Sequence, residues 1–333
     1  MLQQTRVEAV IGHWTRFLQT FPSVESLALA TEDEVLARWS GLGYYRRARM
    51  LHAGARHVAE VHGGEVPRTR EELARVPGVG AYTAGAIASI AFGQPEPAVD
   101  ANVRRVVSRL LASVEAAGIE AFARDLVEGP RPGDVNEALM DLGSSLCTAR
   151  RADCGPCPLR TGCAAFASGD PLAFPPRRVR KPPREVRLLC AVVRRGEAVL
   201  FVRRDSSDPL LGGLWDLPTV EVPAAAEGAD GRANAGHEEE AFARVLRGLG
   251  LPAGLDVEHA GEVRHDIVGR RITASVGVVR VDARQECAAP ASAWIVEEEM
   301  AGYGLPALPV RILRALGRNS RGGSRAVRGA ARR

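Results

Sequence analysis

The sequence predicts two folded domains of different class, an all-α domain followed by an α+β domain. The chain has 333 residues, more than one average core needs. Apolar residues recur at helical spacing in residues 1–168, whereas residues 186–316 combine strand-like runs with one helical segment. The Pro- and Arg-rich stretch 169–185 predicts a linker, and the Gly-, Ser- and Arg-rich stretch 317–333 predicts a disordered basic tail.

Local signals place the elements within each domain. In the first, Thr31-x-x-Glu34 and Thr69-x-x-Glu72 have the pattern of capping boxes, which predicts that a helix starts at each. In the second, alternating apolar residues predict strands, and a longer amphipathic stretch predicts a helix. The predicted strands cover 186–193, 198–202, 259–264 and 271–281, and the predicted helix covers 238–249.

The positive charge of the chain is concentrated near its C-terminal end. The formal net charge is +4, but residues 301–333 contain eight arginines and no acid, so residues 1–300 carry 4 − 8 = −4. A nucleic-acid site therefore has to be inferred from local motifs. No apolar run approaches the ~20 residues that span a bilayer, and the polar start predicts no targeting peptide. We expect a cytoplasmic monomer without a membrane segment.

Four cysteines lie close together after the last long helix of the first domain: Cys147, Cys154, Cys157 and Cys163. Four thiolates at such short separations can surround one metal centre, although free cysteines or a zinc site are alternatives. The spacing resembles the iron–sulfur loop of the endonuclease III and MutY glycosylases, which implies a 4Fe–4S cluster with a structural, DNA-facing role. Cys190 and Cys287 lie outside this loop, and we expect them to be packing residues.

The sequence of residues 73–85 predicts a helix, a Gly-x-Gly turn and a second helix. Glycines without Cβ let the N–H groups of the turn point at a DNA phosphate, and the next helix N-terminus adds partial positive charge. A bare Gly-x-Gly is more often a simple turn. With its flanking helices and Asp100 further on, the segment resembles the helix–hairpin–helix motif of base-excision glycosylases. The residues expected at the phosphate are Gly78, Val79, Gly80 and Thr83.

Asp100 is the candidate catalytic residue. Its simplest role is the N-cap of a helix that starts near Asn102. In the glycosylases that this region resembles, the matching aspartate faces the sugar whose bond is broken. Removal of a base leaves positive charge on the deoxyribose, which a fixed carboxylate stabilises. The two roles can coexist, and we expect Asp100 to be catalytic.

The position of Tyr82 bears on the type of reaction. Some members of this superfamily use a lysine amine in the second hairpin helix to form a Schiff base and cut the backbone. The matching residue here is Tyr82, and the only lysine of the chain, Lys181, lies in the predicted linker. We therefore expect a monofunctional enzyme in which water attacks C1′.

Residues 2–7, 41–49 and 135–143 resemble the corresponding motifs of the MutY-type adenine DNA glycosylases. The resemblance implies that a Gln-Gln-Thr turn and the first Tyr of Gly-Tyr-Tyr insert beside 8-oxoguanine, and that a glutamate contacts the flipped adenine. The alternatives are a buried tyrosine and a solvated glutamate. The residues expected to recognise bases are Gln3, Gln4, Thr5, Tyr44, Tyr82 and Glu137. The implied partner is duplex DNA with A·8-oxoguanine or A·G mispairs.

The second domain resembles a Nudix fold through residues 212–218, Gly-Gly-Leu-Trp-Asp-Leu-Pro. A Nudix diphosphatase needs an Arg-Glu-x-x-Glu-Glu helix for magnesium, but residues 243–249 carry no acids at those places. The resemblance therefore implies an 8-oxoguanine-recognition domain without hydrolase activity. Many relatives use a Phe-Ser-His loop for that purpose. The matching residues 265–271 have no serine, and Arg270 or Arg271 is the candidate contact to the DNA backbone.

A second departure concerns the general acid of the family. Its glutamate would fall two residues before Met1, so we expect the chain as written to lack catalysis. The expected function is that of a base-excision repair glycosylase. Two rivals stay open: another glycosylase of the superfamily, such as one acting on thymine mismatches, and a catalytically dead lesion-binding protein.

Overall fold

A computed structural model describes residues 1–3, 5, 7–176, 182–223 and 231–321, with the backbone alone for 231–237 and 318–321. These residues form two compact units. The first, the sheet unit, combines the described parts of 1–22, 30–49 and 181–333. The second, the helical unit, combines 23–29 with the described parts of 50–180. Residues 1–22 and 30–49 thus group with the C-terminal part of the chain. The predicted domain ranges 1–168 and 186–316 cut the chain differently and stay a prediction.

The helices before residue 168 have these bounds: α1 Val7–Thr20, α2 Val24–Leu29, α3 Glu32–Trp39, α4 Arg46–His62, α5 Arg70–Leu73, α6 Ala81–Ala86, α7 Ala101–Leu111, α8 Ala116–Val127, α9 Pro132–Ser145 and α10 Ala164–Ala167. A π-helical turn, Ile87–Ala91, continues α6, and short 3₁₀ turns cover Arg160–Gly162 and Pro171–Ala173. The helical class predicted for this part of the chain is confirmed.

Both predicted helix starts are present because their caps are local. Thr31 Oγ1 accepts from the Glu34 backbone N–H at 3.3 Å, and the Glu34 carboxylate accepts from the Thr31 N–H at 2.7 Å, which completes a capping box. At α5, Thr69 Oγ1 accepts from the Glu72 N–H at 3.3 Å. Each cap satisfies a backbone donor that a helix start otherwise leaves exposed.

The core of the second unit lies between α7, α8 and α9. Val103, Val106 and Val107 occupy one face of α7 at helical spacing and pack with Ile119 of α8 and Leu139 of α9. Full burial of such side chains stabilises the fold by roughly 1.5–3 kcal/mol each. This packing holds the start of α7, which follows Asp100, against α9.

The first unit is built on a seven-stranded mixed sheet. Its elements are β1 Arg184–Arg195, β2 Ala198–Arg203, β3 Trp215–Asp216, β4 Thr219–Val222, α11 Gly231–Gly248, β5 Glu258–Ile267, β6 Arg270–Arg280, β7 Ser292–Ile295, a 3₁₀ turn Glu297–Gly302 and α12 Ala307–Arg321. The order is β3-β2-β1-β6-β5, with β4 paired to β1 and β7 to β2. Only β1 and β6 run parallel among these pairs, and their register matches Arg184 with Arg270.

Helices cover both faces of this sheet. Alternation along β1 directs Val192 towards a cluster that includes Ile312 of α12, and Val193 towards a cluster that includes Phe242 and Leu246 of α11. The predicted α+β class is therefore confirmed. The predicted strands are all present, and the predicted helix starts earlier, at Gly231. The short strands β3, β4 and β7 escape prediction because two to four residues show little periodicity.

Two boundaries differ from the sequence predictions. The prediction of disorder from residue 317 onwards is wrong for 317–321, because α12 continues to Arg321. Ile312, earlier in the same helix, is buried and fixes it to the core. The rest of the predicted tail, 322–333, lies outside the described residues. Strand β1 begins at Arg184, inside the predicted linker 169–185, because pairing with β6 extends to that residue.

Residues 30–49 pack against the sheet-containing part of the same unit. The Tyr45 hydroxyl donates to the Leu305 carbonyl at 2.7 Å, and the Ser40 hydroxyl donates to the same oxygen at 3.1 Å. Asp33 forms a 2.7 Å ion pair with Arg203. These contacts join positions more than 160 residues apart in the chain, and they explain why the segment clusters with the C-terminal part.

Candidate active site and nucleic-acid interface

Asp100 lies at the N-terminus of α7 in extended backbone conformation. Its Oδ1 accepts from the backbone N–H groups of Asn102 and Val103 at 2.8 and 2.7 Å, and its Oδ2 accepts from Asn102 Nδ2 at 3.0 Å. The N-cap role is therefore real. The carboxylate is held by three donors, while its half-buried position leaves lone pairs of Oδ2 available to a ligand.

A chain of hydrogen bonds leads from Asp100 to the cysteine loop. Asn102 Oδ1 accepts from Arg105 Nη2 at 2.8 Å, and Arg105 Nε donates to the Cys147 carbonyl at 2.8 Å. Arg105 Nη2 also donates to the Gly143 carbonyl at 2.6 Å. A Cβ at Gly143 would lie 2.7 Å from Asn102 Cβ, so α7 and α9 can cross this closely only because residue 143 is glycine.

The structure brings Tyr82 near Asp100. Burial and, next, the negative charge of Asp100 raise the pKa of the Tyr82 hydroxyl above its ordinary value. The hydroxyl donates to Met140 Sδ at 3.6 Å, which ties α6 to α9. Glu137, one turn earlier on α9, is exposed. Tyr82 is thus close enough to Asp100 to be affected by its charge, and it contacts α9 through Met140.

The predicted hairpin is present as α5, a turn and α6, although α5 has a single turn. Gly78 has φ +83°, and a Cβ there would lie 2.6 Å from Met50 Cβ, so this turn requires glycine. Gly80 is the N-cap of α6 and makes no side-chain cap bond, and within the turn the Val79 N–H donates to the Val76 carbonyl at 3.0 Å. Gly78 and Gly80 are exposed, and Thr83 is half-buried in the first turn of α6.

The four cysteines of the loop are half-buried and free of disulfides. Arg109, 2% exposed, connects them to the helices: its Nη1 donates to Cys147 Sγ at 3.0 Å, and its carbonyl accepts from Cys163 Sγ at 3.4 Å. Burial and the charges of the other three thiols raise the pKa of Cys154, whereas Arg109 lowers it, so the four thiols lie near one another. Among the described residues, no three or more Cys, His, Asp or Glu are arranged around a single metal ion.

The described parts of the two segments predicted to insert beside 8-oxoguanine, 2–7 and 41–49, meet at Arg47. Its guanidinium donates to the carbonyls of Met1 and Gln3 and to Thr5 Oγ1, and its cationic carbon lies 5.3 Å from the centre of the Tyr44 ring. Burial lowers the pKa of Arg47. Tyr44 is 47% exposed and has φ +49°, a conformation that is uncommon outside glycine and often marks functional sites. Gln4 lies outside the described residues.

A model of the HhH-GPD superfamily of base excision DNA repair proteins matches residues 1–131. The adenine DNA glycosylase of Mus musculus is 35% identical over 367 residues, covering 94% of this chain and 69% of that protein. The enzyme of Rattus norvegicus is 34% identical, covering 97% and 71%. That of Mycolicibacterium smegmatis is 38% identical over 229 residues, covering 67% and 76%.

The chain belongs to the adenine DNA glycosylase family. The predicted recognition, fold class and enzyme class are thereby confirmed: it is a base-excision enzyme that hydrolyses the N-glycosyl bond of adenine. Because these relatives are adenine enzymes, the rival prediction of a thymine mismatch glycosylase is not favoured. Within the described residues, every helix is too short or too polar to cross a bilayer.

In this adenine glycosylase family member, the region matching the Phe-Ser-His loop is the β5–β6 hairpin. Val268 and Gly269 form its tip, both with positive φ, and Val268 is exposed. Arg271 forms a 2.7 Å ion pair with Glu185. Burial raises the pKa of Asp208, but hydrogen bonds from the backbone N–H groups of its turn, and then the charges of Arg204 and Arg270, lower it below its ordinary value. Both arginines of this hairpin therefore already interact with acids of the same unit.

The sequence motifs gave no sign of the contacts made by Arg47, Arg105, Arg109 and Asn136. Most of the main-chain carbonyls and side chains that they bind are distant in the sequence, so no local pattern predicts these contacts. A partial signal exists for Arg105, because Asn102 and Arg105 are spaced i, i+3 on α7 and therefore neighbour each other on the helix surface.

Proposed function

We propose that the chain removes adenine from duplex DNA in which adenine is paired with 8-oxoguanine or guanine, and that Asp100 is the catalytic carboxylate. The observation that carries the proposal is the Asp100 carboxylate, fixed by three donors at the start of α7 with Oδ2 still able to accept. A carboxylate held in place before the reaction costs no reorganisation when charge develops on the sugar.

In the proposed reaction, the C1′–N9 bond breaks, its electron pair leaves with adenine, and adenine takes up a proton. The sugar becomes oxocarbenium-like, and the Asp100 carboxylate stabilises its positive charge. Water then adds its oxygen to C1′ and releases a proton. Tyr82 offers a phenol where a lyase needs an amine, and the part of the chain that the structure describes contains no lysine. The proposal is therefore monofunctional hydrolysis.

We assign base recognition to the two groups of residues predicted from the sequence. Tyr44, with Gln3 and Thr5, which Arg47 holds beside it, fills the space next to the base opposite adenine. Glu137 and Tyr82 contact the extruded adenine, Glu137 through an exposed carboxylate that can accept from an amino group. Gln4 shares the assignment by its place in the motif.

The hairpin turn is the proposed phosphate contact. Gly78, Val79, Gly80 and Thr83 surround the start of α6, where the positive end of the helix dipole favours an anion. Such contacts position the duplex without reading its sequence.

Cys147, Cys154, Cys157 and Cys163 are the proposed ligands of a 4Fe–4S cluster. The donor set fits: four free thiols lie near one another, beside the buried Arg109 cation, which offsets negative charge of the thiolates. When bound, the cluster stabilises the loop. Four reduced thiols favour the cytoplasm as the compartment.

The α+β part is the proposed 8-oxoguanine reader, of Nudix-like type and without hydrolase activity. The helix α11 has Glu238 engaged with Arg187 at 2.9 Å and lacks the acid spacing that holds magnesium. The tip at Val268 and Gly269 has no hydroxyl, so we expect weaker preference for 8-oxoguanine over guanine than a serine-bearing loop gives.

The decisive experiment is single-turnover incubation of the purified chain with duplexes containing A·8-oxoguanine, A·G, A·T or T·G pairs. Adenine release from the first two, with intact strands before alkali treatment, supports the proposal and overturns the expectation from the sequence that the chain as written lacks catalysis. Release from T·G alone, or strand cleavage without alkali, contradicts the proposal. Iron and sulfide analysis of protein purified without oxygen is expected to give four of each per chain; zinc instead contradicts the cluster assignment.

A further inference from the structure

Three segments of the helical unit approach one another closely beside Asp100: the π-helical turn 87–91, the extended segment 96–100 and the start of α9. A Cβ on Gly85 would lie 2.1 Å from the Pro97 carbonyl, and one on Gly133 would lie 3.0 Å from the backbone of the π-helical turn. Glycine at both positions lets the three backbones come together. A π-helical turn within a helix is itself frequent at functional sites.

The side chain of Asn136 joins these three segments. It is 1% exposed, and its Oδ1 accepts from the Ala98 N–H at 2.9 Å. Its Nδ2 donates to Ser89 Oγ at 2.8 Å and to the Glu96 carbonyl at 2.9 Å. Ser89 is also buried and donates to the Gly85 carbonyl at 2.8 Å. A side-chain amide of this size supplies one acceptor and two donors at once, so each polar atom of Asn136 is satisfied.

The bonds of Asn136 lead to both proposed active-site groups. Ala98, which Asn136 holds, accepts from the Asp100 N–H through its carbonyl at 3.2 Å. Glu137 follows Asn136 directly on α9. One buried amide therefore connects the backbone that carries Asp100 with the helix that carries Glu137.

We propose that Asn136 is a positioning residue for base excision, setting the place of the Asp100 carboxylate relative to Glu137. This inference rests on the proposed roles of those two residues. A displacement of about 1 Å at a reacting group lowers a rate on the order of 10²-fold, so a shift of residues 98–100 affects chemistry before it affects binding.

Nearby ion pairs stabilise the extended segment without Asn136, so a positioning role can be distinguished from a role in folding. The Glu96 carboxylate pairs with Arg70 at 2.9 Å and with Arg124 at 3.6 Å, independently of Asn136. These pairs hold the beginning of the extended segment when the amide is changed. We therefore expect variants of Asn136 to fold and to lose order mainly from Ala98 to Asp100.

Asn136→Asp tests the proposal through its pH profile. The ionised carboxylate has no proton to donate to the Glu96 carbonyl, whereas the protonated carboxyl has one donor and one acceptor. At high pH we expect single-turnover adenine release to fall on the order of 10²-fold, with duplex affinity changed less than about threefold. As the pH falls, the ratio of variant to wild-type rate should rise.

Asn136→Ala and Ser89→Ala are the matched controls. Asn136→Ala loses the same bonds but has no group that titrates, so its rate relative to wild type should stay low at every pH. Any other titrating acid nearby acts on both variants, so the difference between them isolates the new carboxylate. Ser89→Ala removes one partner of the amide and keeps the Ala98 bond, so we expect a smaller loss that does not depend on pH.

Hydrogen exchange of the peptide covering 96–103, measured with intact chain, gives a readout independent of activity. Asn136→Asp should exchange faster than wild type at high pH and approach it at low pH. A wild type without adenine release contradicts the proposed function, and the exchange profile then decides the positioning role. Wild-type rate and protection in Asn136→Asp at high pH overturn that role. Equal losses of duplex affinity and of the adenine-release rate at every pH also overturn it, because they indicate that Asn136 has only a structural role.

Discussion

Asp100 in the helical unit and Asp216 in the sheet unit are two carboxylates with opposite surroundings. Asp100 is half-buried and accepts from two backbone N–H groups and an amide, so its charge is held in place where a substrate can reach it. Asp216 is 5% exposed, and burial raises its pKa to about 6 despite Arg204 at 3.4 Å. Hydrogen bonds favour the charged form of the first, whereas desolvation disfavours the charged form of the second.

The two units also hold their cations differently. In the helical unit, Arg105 and Arg109 bind carbonyls and a thiol within packed helices. In the sheet unit, Arg47 binds carbonyls of a segment only a few residues long at the start of the chain. Many main-chain bonds thus fix the catalytic region, whereas in the proposed recognition segment the Arg47 guanidinium binds Met1, Gln3 and Thr5.

The largest expected effect separates the two roles of Asp100. Asn also caps helices well, so Asp100→Asn should change the free energy of unfolding by less than about 1 kcal/mol. Loss of the carboxylate charge should lower single-turnover adenine release on the order of 10²–10³-fold. Thermal unfolding and a product assay measure the two quantities. A destabilised variant with unchanged rate would mean that Asp100 is a cap and nothing more.

Asp216 supplies the contrasting prediction, in the pH dependence of stability. Its pKa is raised from its ordinary value of 3.8 to about 6 in the folded protein, so its contribution is fully present below pH 3.8 and is lost as the pH rises through 6. The loss amounts to about 3 kcal/mol. Urea unfolding between pH 4 and 7 should show this fall in wild type relative to Asp216→Asn. Parallel profiles of the two proteins contradict it.

Arg47→Lys sharpens the comparison of the cations. Lysine is a point charge without the planar fork that reaches several carbonyls, so the segment before Thr5 should lose its order beside Tyr44. We expect affinity for an A·8-oxoguanine duplex to weaken roughly tenfold, or 1–2 kcal/mol. Affinity for a fully matched duplex should hardly change. The neighbouring exposed Arg46, changed to Lys, is the control; an equal loss there would point to general electrostatics.

The smallest effect is expected at Tyr45, within the sheet unit. Tyr45→Phe removes the bond to the Leu305 carbonyl but leaves the Ser40 bond to the same oxygen, so the acceptor stays satisfied. We expect a loss of about 1 kcal/mol in the free energy of unfolding, and more when Ser40→Ala is added. Denaturant unfolding of the single and double variants measures both values. Strict additivity would show that the two bonds are independent.

Local signals in the sequence were sufficient for the helix starts, the long strands, the hairpin turn and the cysteine spacing. Each depends on residues a few positions apart, as Thr31 with Glu34 and Gly78 with its turn show. The candidate residues Asp100, Tyr82 and Glu137 could be named because the motifs that carry them are short and continuous. What the motifs could not give was the environment of each side chain.

Only the tertiary structure decided which side chains hold those residues in place. Asn136 meets Ala98 across 38 positions, Arg47 meets Gln3 across 44, and Tyr45 meets Leu305 across 260. Hydrogen bonds and desolvation act over a few ångströms in space, and sequence patterns record proximity only along the chain. The chemistry was therefore visible in the sequence, and its positioning was not.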